Sequence, residues 1–349
     1  MKAQVLYGIN DLRYEQNYPH PVLKEGEVLV KVHACGICGS DVGRVLKTGA
    51  WFSPAILGHE FSGVVVEVSN NQDKQYLGKS VAVFPLIPCR KCLSCSLGNY
   101  HLCESYNYLG SRCNGGFAEY VAVPVWNLKV LPDDLSLEIG ALFEPVAVSF
   151  HALNLLGDYS GKTILVTGTG TMASIIVKLA LLGGASKVFV LGRNGEKLDF
   201  IKHQNPEVCI VNSALSTWME NIISISNGLV DCVIEATGNA FMLEKCIEVV
   251  RRKGTVVLMG NPEENVELRK EIFWQILRKE VTLRGSWNST YEINKKNDWN
   301  HVLEIMNNEN LNFESIITHK ISLSQLRDGI EIMTNKDILS NKVMVVNNG

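Results

Sequence analysis

A chain of 349 residues is long for a single hydrophobic core, so two domains are expected. With 46% apolar residues and a net charge of −3, it has ample core material and no basic surplus, which argues against nucleic acid or an anionic membrane surface as partner. The N-terminal MKAQVLYGINDLRYEQ lacks the apolar run of a signal peptide, and the longest apolar stretch, 163–185, is broken by glycines and Lys178. The reading is a cytoplasmic protein.

In chain order, residues 1–145 are β-rich. GEVLVKVHACG (26–36), FSGVVVEVS (61–69), GKSVAVFPL (78–86) and GGFAEYVAVP (115–124) read as strands separated by turn residues, a barrel-like region. PCRKCLSCSLGNYHLC (88–103) interrupts it with almost no periodicity. After Pro145 the texture changes. A helical stretch (146–156) is followed by strand 162–168, helix 171–184, strand 187–192, helix 196–204, strands 208–213 and 230–238, helix 241–252 and strand 254–260. Strands alternating with helices imply βαβ units and a parallel sheet. The tail, 318–346, returns to helix and strand and is expected to rejoin the first domain.

The chemistry begins with the cysteines. Cys89, Cys92, Cys95 and Cys103 place four thiols in fifteen positions with spacings of two, two and seven residues. A chain of this size in a reducing compartment has no need of disulfides, so the cluster reads as a metal site. Zinc favours a tetrahedral sulfur shell. An iron–sulfur cluster also takes four cysteines, but the ferredoxin run continues with three residues and Cys-Pro, whereas seven residues precede Cys103 and Glu104 follows it. The site is structural and says nothing about a reaction.

Gly168, Gly170, Thr171, Met172 and Ala173 form a G-x-G-x-x-A turn between a strand and a helix, a variant of the dinucleotide fingerprint. Gly168 permits the tight turn, Gly170 lets the backbone approach a pyrophosphate, and the helix amides face it. An NAD site wants an acid at the end of the next strand to hold the ribose 2′-hydroxyl. That position is Gly192, followed by Arg193 with Lys197 nearby. A guanidinium in place of an acid suits a 2′-phosphate, so NADP is favoured, with NAD the alternative.

In the first domain, Cys38, His59 and Glu144 offer one thiol, one imidazole and one carboxylate, the three-ligand set with an open position that a catalytic zinc needs. Cys35, although it makes a C-x2-C with Cys38, lacks a thioredoxin-like context and reads as a core residue.

CGSD (38–41), GHEFSG (58–63), the four-cysteine lobe, GGFAEY (115–120) and the late βαβ domain occur together and in order, and the chain therefore resembles the zinc-dependent medium-chain dehydrogenases over essentially its whole length. The resemblance implies an α/β protein with a GroES-like β-rich catalytic domain (1–147 and 286–349, with the structural-zinc lobe at 86–106) and a Rossmann doubly wound parallel-sheet coenzyme domain (148–285). It implies two zinc ions, one on Cys38, His59 and Glu144 and one on the four cysteines. Ser40 resembles the family's proton-relay hydroxyl, Asp41 would orient His59, and Glu60 would act behind His59 or as an exchangeable ligand, or be merely structural. A glutamate as third ligand is similar to the polyol branch of the family. With LGHEFSG (57–63), GSRCNGGFAEY (110–120) and ILRKEVTLRGSW (276–287), the resemblance implies oxidation of a secondary hydroxyl of a sugar-alcohol phosphate, galactitol 1-phosphate to tagatose 6-phosphate, with hydride passing to a nicotinamide. Arg44, Lys47 and Arg112 are candidates for the phosphate. A homodimer is implied. The rivals are an NADPH-dependent ketose-phosphate reductase making a pentitol phosphate, a dehydrogenase of an unphosphorylated polyol such as sorbitol, and a zinc-stabilised nucleotide sensor without turnover.

Overall fold

The computed structural model describes residues 1–293, 295–307 and 311–347. The chain divides into two compact units, Met1–Ala147 with Thr290–Gly349, and Val148–Ser289.

The first unit is organised by strand Glu27–Gly36, which pairs antiparallel with three partners: Glu60–Val68, Tyr120–Pro124 and Lys342–Val346. The sheet continues through Ser80–Val83 to Leu128–Val130 on one side and to Ile317–Ile321 on the other. Its inner face is β-branched and aromatic, with Val28, Val30, Val32, Phe61, Val65, Val81, Val121, Val343 and Val345 all buried in one cluster. Such residues fit a pleated, packed surface, and each contributes roughly 1.5–3 kcal/mol by leaving water.

Two registers set up the site. Gly36 lies opposite Glu60 on one side and Met344 on the other. The antiparallel register therefore carries Lys342, two residues before Met344, alongside the turn that follows Gly36, and Ile37 N donates to Val343 O there (2.9 Å). A Cβ on residue 36 would sit 2.2 Å from Glu60 Oε2 and 3.2 Å from Lys342 Cδ, so only glycine leaves room for both side chains.

The second unit holds a six-stranded parallel sheet in the order Cys209–Asn212, Lys187–Gly192, Thr163–Thr167, Val230–Glu235, Val250–Leu258, Thr282–Gly285. This is the 3-2-1-4-5-6 doubly wound order, and its direction reverses between Thr163–Thr167 and Val230–Glu235, where such sheets open a crevice for a ligand. Periodicity extends the helix after Asn239 to residue 252, but it stops at Val249 and the strand starts at once with Val250. Val250 is buried against Val230, while Arg251 turns outward to pair with Asp231 at 2.6 Å. The tertiary pairing of Val250 outweighs the local helical pattern. Among the described residues no helix is long and apolar enough to cross a membrane.

Candidate active site and metal centres

The catalytic candidate is built where strand Glu27–Gly36 ends. Cys38 is the N-cap of the short helix Gly39–Gly43, and its amide donates to Asp41 Oδ2 (3.1 Å). Asp41 is 1% exposed, and its Oδ1 lies 3.5 Å from His59 Nδ1, an ion-pair separation longer than a good hydrogen bond. With Nδ1 turned to a carboxylate, Nε2 is the nitrogen left for a ligand. Burial works against protonation of His59, yet the Asp41 carboxylate and the Cys38 sulfur outmatch it and hold the imidazole well above its ordinary pKa. A cation is thus electrostatically welcome at this point.

Ligand atoms of Cys38, His59 and Glu60 all lie within 4.8 Å of one another. A thiol, an imidazole and a carboxylate, converging and enclosed, fit zinc. The structure draws the group differently from the sequence pattern, which makes Glu144 the third donor and leaves Glu60 beside it. Glu144 stands in the first turn of helix Phe143–Asn154, 7% exposed, accepting from Tyr108 OH at 3.4 Å. Burial pushes its carboxyl up to about 7, His59 pulls it back and Glu60 adds to the rise. Both glutamates therefore share the electrostatic neighbourhood of His59, with Glu60 the one drawn into the close set.

Glu60 is 2% exposed, and Lys342 Nζ donates to its Oε2 at 2.5 Å and to Ile37 O at 3.1 Å. Burial disfavours a charged Lys342, but Glu60 and then Cys38 reverse that and raise its pKa. Neither Lys342 nor Tyr108, whose ring lies edge-on to His59 at 5.8 Å, is visible from motifs; both arrive from strands and turns remote in sequence. Ser40 is exposed in the first turn after Cys38. Cys35 is 1% exposed in the core of the sheet.

The four thiols of Cys89, Cys92, Cys95 and Cys103 also lie within 4.8 Å of one another, around the helical turns Leu93–Ser96 and Tyr100–Leu102. The amide of Lys91 is the main influence that draws Cys89 down to about 6, and Cys89 N donates to Cys103 Sγ at 3.1 Å. Burial pushes Cys95 up to about 12 and raises Cys103 as well, so four thiolates together need the charge of a cation, which a tetrahedral zinc ion would supply.

In the second unit, Gly168 has φ +95°, which a side chain resists, and Gly170 caps helix Thr171–Leu182, placing Thr171 and Met172 in its first turn. Buried Glu235 braces the loop: it accepts from Thr237 N (2.8 Å), Gly238 N (3.1 Å) and Thr167 Oγ1 (3.3 Å). Gly192 ends its strand, and a Cβ there would meet Thr169 Cγ2 at 2.3 Å, so the fingerprint loop itself bars a larger residue. Arg193 is exposed, and Lys197 N donates to the Asn194 side chain that caps the next helix (3.0 Å).

Of the three cations that the sequence offers for a phosphate, Arg112 is stacked over Trp51 (4.7 Å) and Tyr106 (4.2 Å), and Lys47 is exposed. Arg44 donates from Nη2 to Ser111 Oγ at 3.2 Å.

A half-buried cysteine converging with a buried histidine and a buried carboxylate on a GroES-like sheet, with a doubly wound unit carrying a glycine turn ahead of a helix, is the pattern of a zinc-dependent dehydrogenase, and the chain belongs to that family. The family model "Alcohol dehydrogenase GroES-like domain" matches residues 24–133 and "Zinc-binding dehydrogenase" matches 169–308. The chain is 30% identical over 322 residues to galactitol 1-phosphate 5-dehydrogenase of Escherichia coli K12, covering 92% of this chain and 93% of that one. The crystal structure of galactitol-1-phosphate dehydrogenase from Escherichia coli superposes with a TM-score of 0.91 at 30% identity, covering 99% and 100% of the two chains. A zinc-binding dehydrogenase from Sinorhizobium meliloti 1021, bound to NADP, is similar at 28% identity and a TM-score of 0.88, with 99% and 98% covered.

Proposed function

We propose that this oxidoreductase oxidises a secondary hydroxyl of a sugar-alcohol phosphate, with galactitol 1-phosphate to tagatose 6-phosphate as the reaction of first choice. The observation that carries the reading is the converging Cys38–His59–Glu60 group, its histidine and carboxylate buried, with buried Glu144 in the same electrostatic neighbourhood, in a chain 30% identical to galactitol 1-phosphate 5-dehydrogenase. When bound, zinc supplies Lewis acidity that makes the substrate hydroxyl easier to deprotonate, and the nicotinamide accepts the hydride. Cys38 and His59, with Glu60 or Glu144, would hold the catalytic ion; the four cysteines would hold the structural one. Asp41 fixes the tautomer of His59. Ser40, exposed next to the ligand loop, would pass the released proton outward. Gly168, Gly170, Thr171 and Met172 would receive the pyrophosphate.

Gly192 and Arg193 support NADP as cofactor, because no carboxylate repels a 2′-phosphate there and a guanidinium is at hand. The same feature favours a second reading, an NADPH-dependent reductase of a ketose phosphate. The thiol-rich metal sites suit a reducing, cytoplasmic setting. Strand Thr282–Gly285 is exposed throughout at the sheet edge, close in sequence to exposed Phe273, Trp274 and Leu277, which supports a homodimer formed there.

Initial rates on galactitol 1-phosphate, a pentitol phosphate, galactitol and sorbitol, each with NAD and NADP, test the reading. Preference for a phosphorylated hexitol supports it. Preference for sorbitol removes the phosphate from it, and a faster NADPH-driven reduction of a ketose phosphate favours the second reading. A zinc-loaded protein that binds dinucleotide and turns over none of these returns it to a sensor.

A further inference from the structure

Arg44 is tethered but not satisfied. It opens the helical turn Arg44–Thr48, which continues directly from the helix that follows Cys38. One arm of its guanidinium is fixed by Ser111 Oγ at 3.2 Å, and Ser111 is 5% exposed. The other arm, Nη1, is enclosed and has no acceptor on the protein; among the described residues it is the one lysine or arginine nitrogen in that condition. Asp41 and Tyr108, the two residues that flank His59, both feel its charge. A buried cationic N–H left without an acceptor is costly, and such a group calls for an explanation. The neighbouring cations need none: the Arg112 guanidinium is spent between two aromatic rings and on Tyr106 O (3.3 Å), and Lys47 is exposed.

We propose that Arg44 reads a negative charge carried by the substrate, an oxyanion at the end of a polyol chain, and so sets the specificity of the site; this rests on the polyol reading above. The planar guanidinium keeps one edge for the anion because Ser111 pins the other. Ser111, having accepted from Nη2, still has its own hydroxyl proton to donate to the same oxyanion. A phosphate monoester and a carboxylate share this chemistry, and the substrates below separate them.

The test uses the zinc-loaded enzyme and its Arg44→Gln and Arg44→Lys variants. Initial rates and equilibrium binding are measured with galactitol 1-phosphate, L-galactonate and neutral galactitol. The expected result is a fall of roughly tenfold to a hundredfold in the ratio of kcat/KM for the anionic over the neutral polyol in Arg44→Gln. The fall is carried by KM, matched by weaker binding of the anion, and partly restored in Arg44→Lys. Whichever of phosphate and carboxylate shows the larger fall is the group read. Equal losses on anionic and neutral polyols would mean that Arg44 only balances buried charge around Asp41, and would overturn the proposal. So would a change confined to the KM of the dinucleotide, or a wild type that accepts only neutral polyols. A wild type inactive on all three fails at the polyol reading itself, and the role of Arg44 falls with it.

Discussion

Glu60 and Lys342 meet over a residue without a side chain. Their contact, 2.5 Å between groups 2% and 3% exposed, gains its strength from enclosure, and the same enclosure makes each partner expensive without the other. Lys342→Met is expected to cost about 3–5 kcal/mol in denaturant unfolding of protein whose Cys38–His59 site is free of zinc, because a buried carboxylate then loses its counter-charge. Adding Glu60→Gln to that variant should recover much of the loss; if the double variant is no more stable than Lys342→Met alone, the two groups are not coupled. A second residue-scale case is Gly192. From the sequence it is a missing acid; in the structure it is also a contact, with Thr169 Cγ2 occupying the space a Cβ would need. Gly192→Asp, the obvious change for building an NAD site, should therefore lose about 1–3 kcal/mol through overpacking. Pairing it with Thr169→Ser, which removes the clashing methyl, should restore the melting temperature. A stable single variant would show that the loop yields without strain.

Between elements, the tie that matters is often a side chain bonded to a neighbouring strand's backbone. Asp231, in Val230–Glu235, accepts from both the amide and the hydroxyl of Thr163 at 2.7 Å, at the start of the central strand Thr163–Thr167. Burial raises its pKa, but these two donors and Arg251 together hold the carboxyl below the ordinary value. A carboxylate depressed on folding stabilises above its unfolded pKa, and that stability is lost as pH falls through the folded one. Asp231→Asn should accordingly cost about 1–2 kcal/mol near neutrality, and the gap from wild type should close as pH falls below the ordinary carboxylate range and through the depressed folded value. Most of it comes from Thr163, since Arg251 is half exposed and its ion pair is screened. Urea melts of the two proteins at several pH values check this; a gap independent of pH would place the effect outside the carboxylate's charge. The helix ending at Val249 shows the same scale at work: the apolar pattern runs on through Val250, but pairing with Val230 claims that residue for the sheet.

At the scale of the whole molecule, the edge strand Thr282–Gly285 has, among the described residues, one neighbouring strand, Val250–Leu258, and an unpaired outer edge. A second copy pairing there would satisfy those groups and cover nearby apolar surface. Light scattering is expected to give twice the chain mass, and Leu283→Lys to shift it toward the monomer; a wild-type monomer would end the homodimer reading. What could be read from the sequence was what depends on neighbours in the chain. Four cysteines within one short loop, a glycine turn between a strand and a helix, and alternating β and α periodicities each carry their physics in local spacing. They sufficed for the fold, a GroES-like part with a doubly wound parallel-sheet part, and for the grouping of the four thiols. Which carboxylate joins Cys38 and His59 was a different kind of question. The sequence pattern makes Glu144 the third ligand and sets Glu60 behind His59; strand register and the space over Gly36 bring Glu60 into the close group, with Glu144 sharing its electrostatic neighbourhood. Lys342 reaches the same spot from more than 280 positions away, and Arg44 is held by Ser111, distant in sequence, through one arm while the other has no protein acceptor. Local spacing is written along the chain, whereas burial and convergence exist only once distant strands have paired.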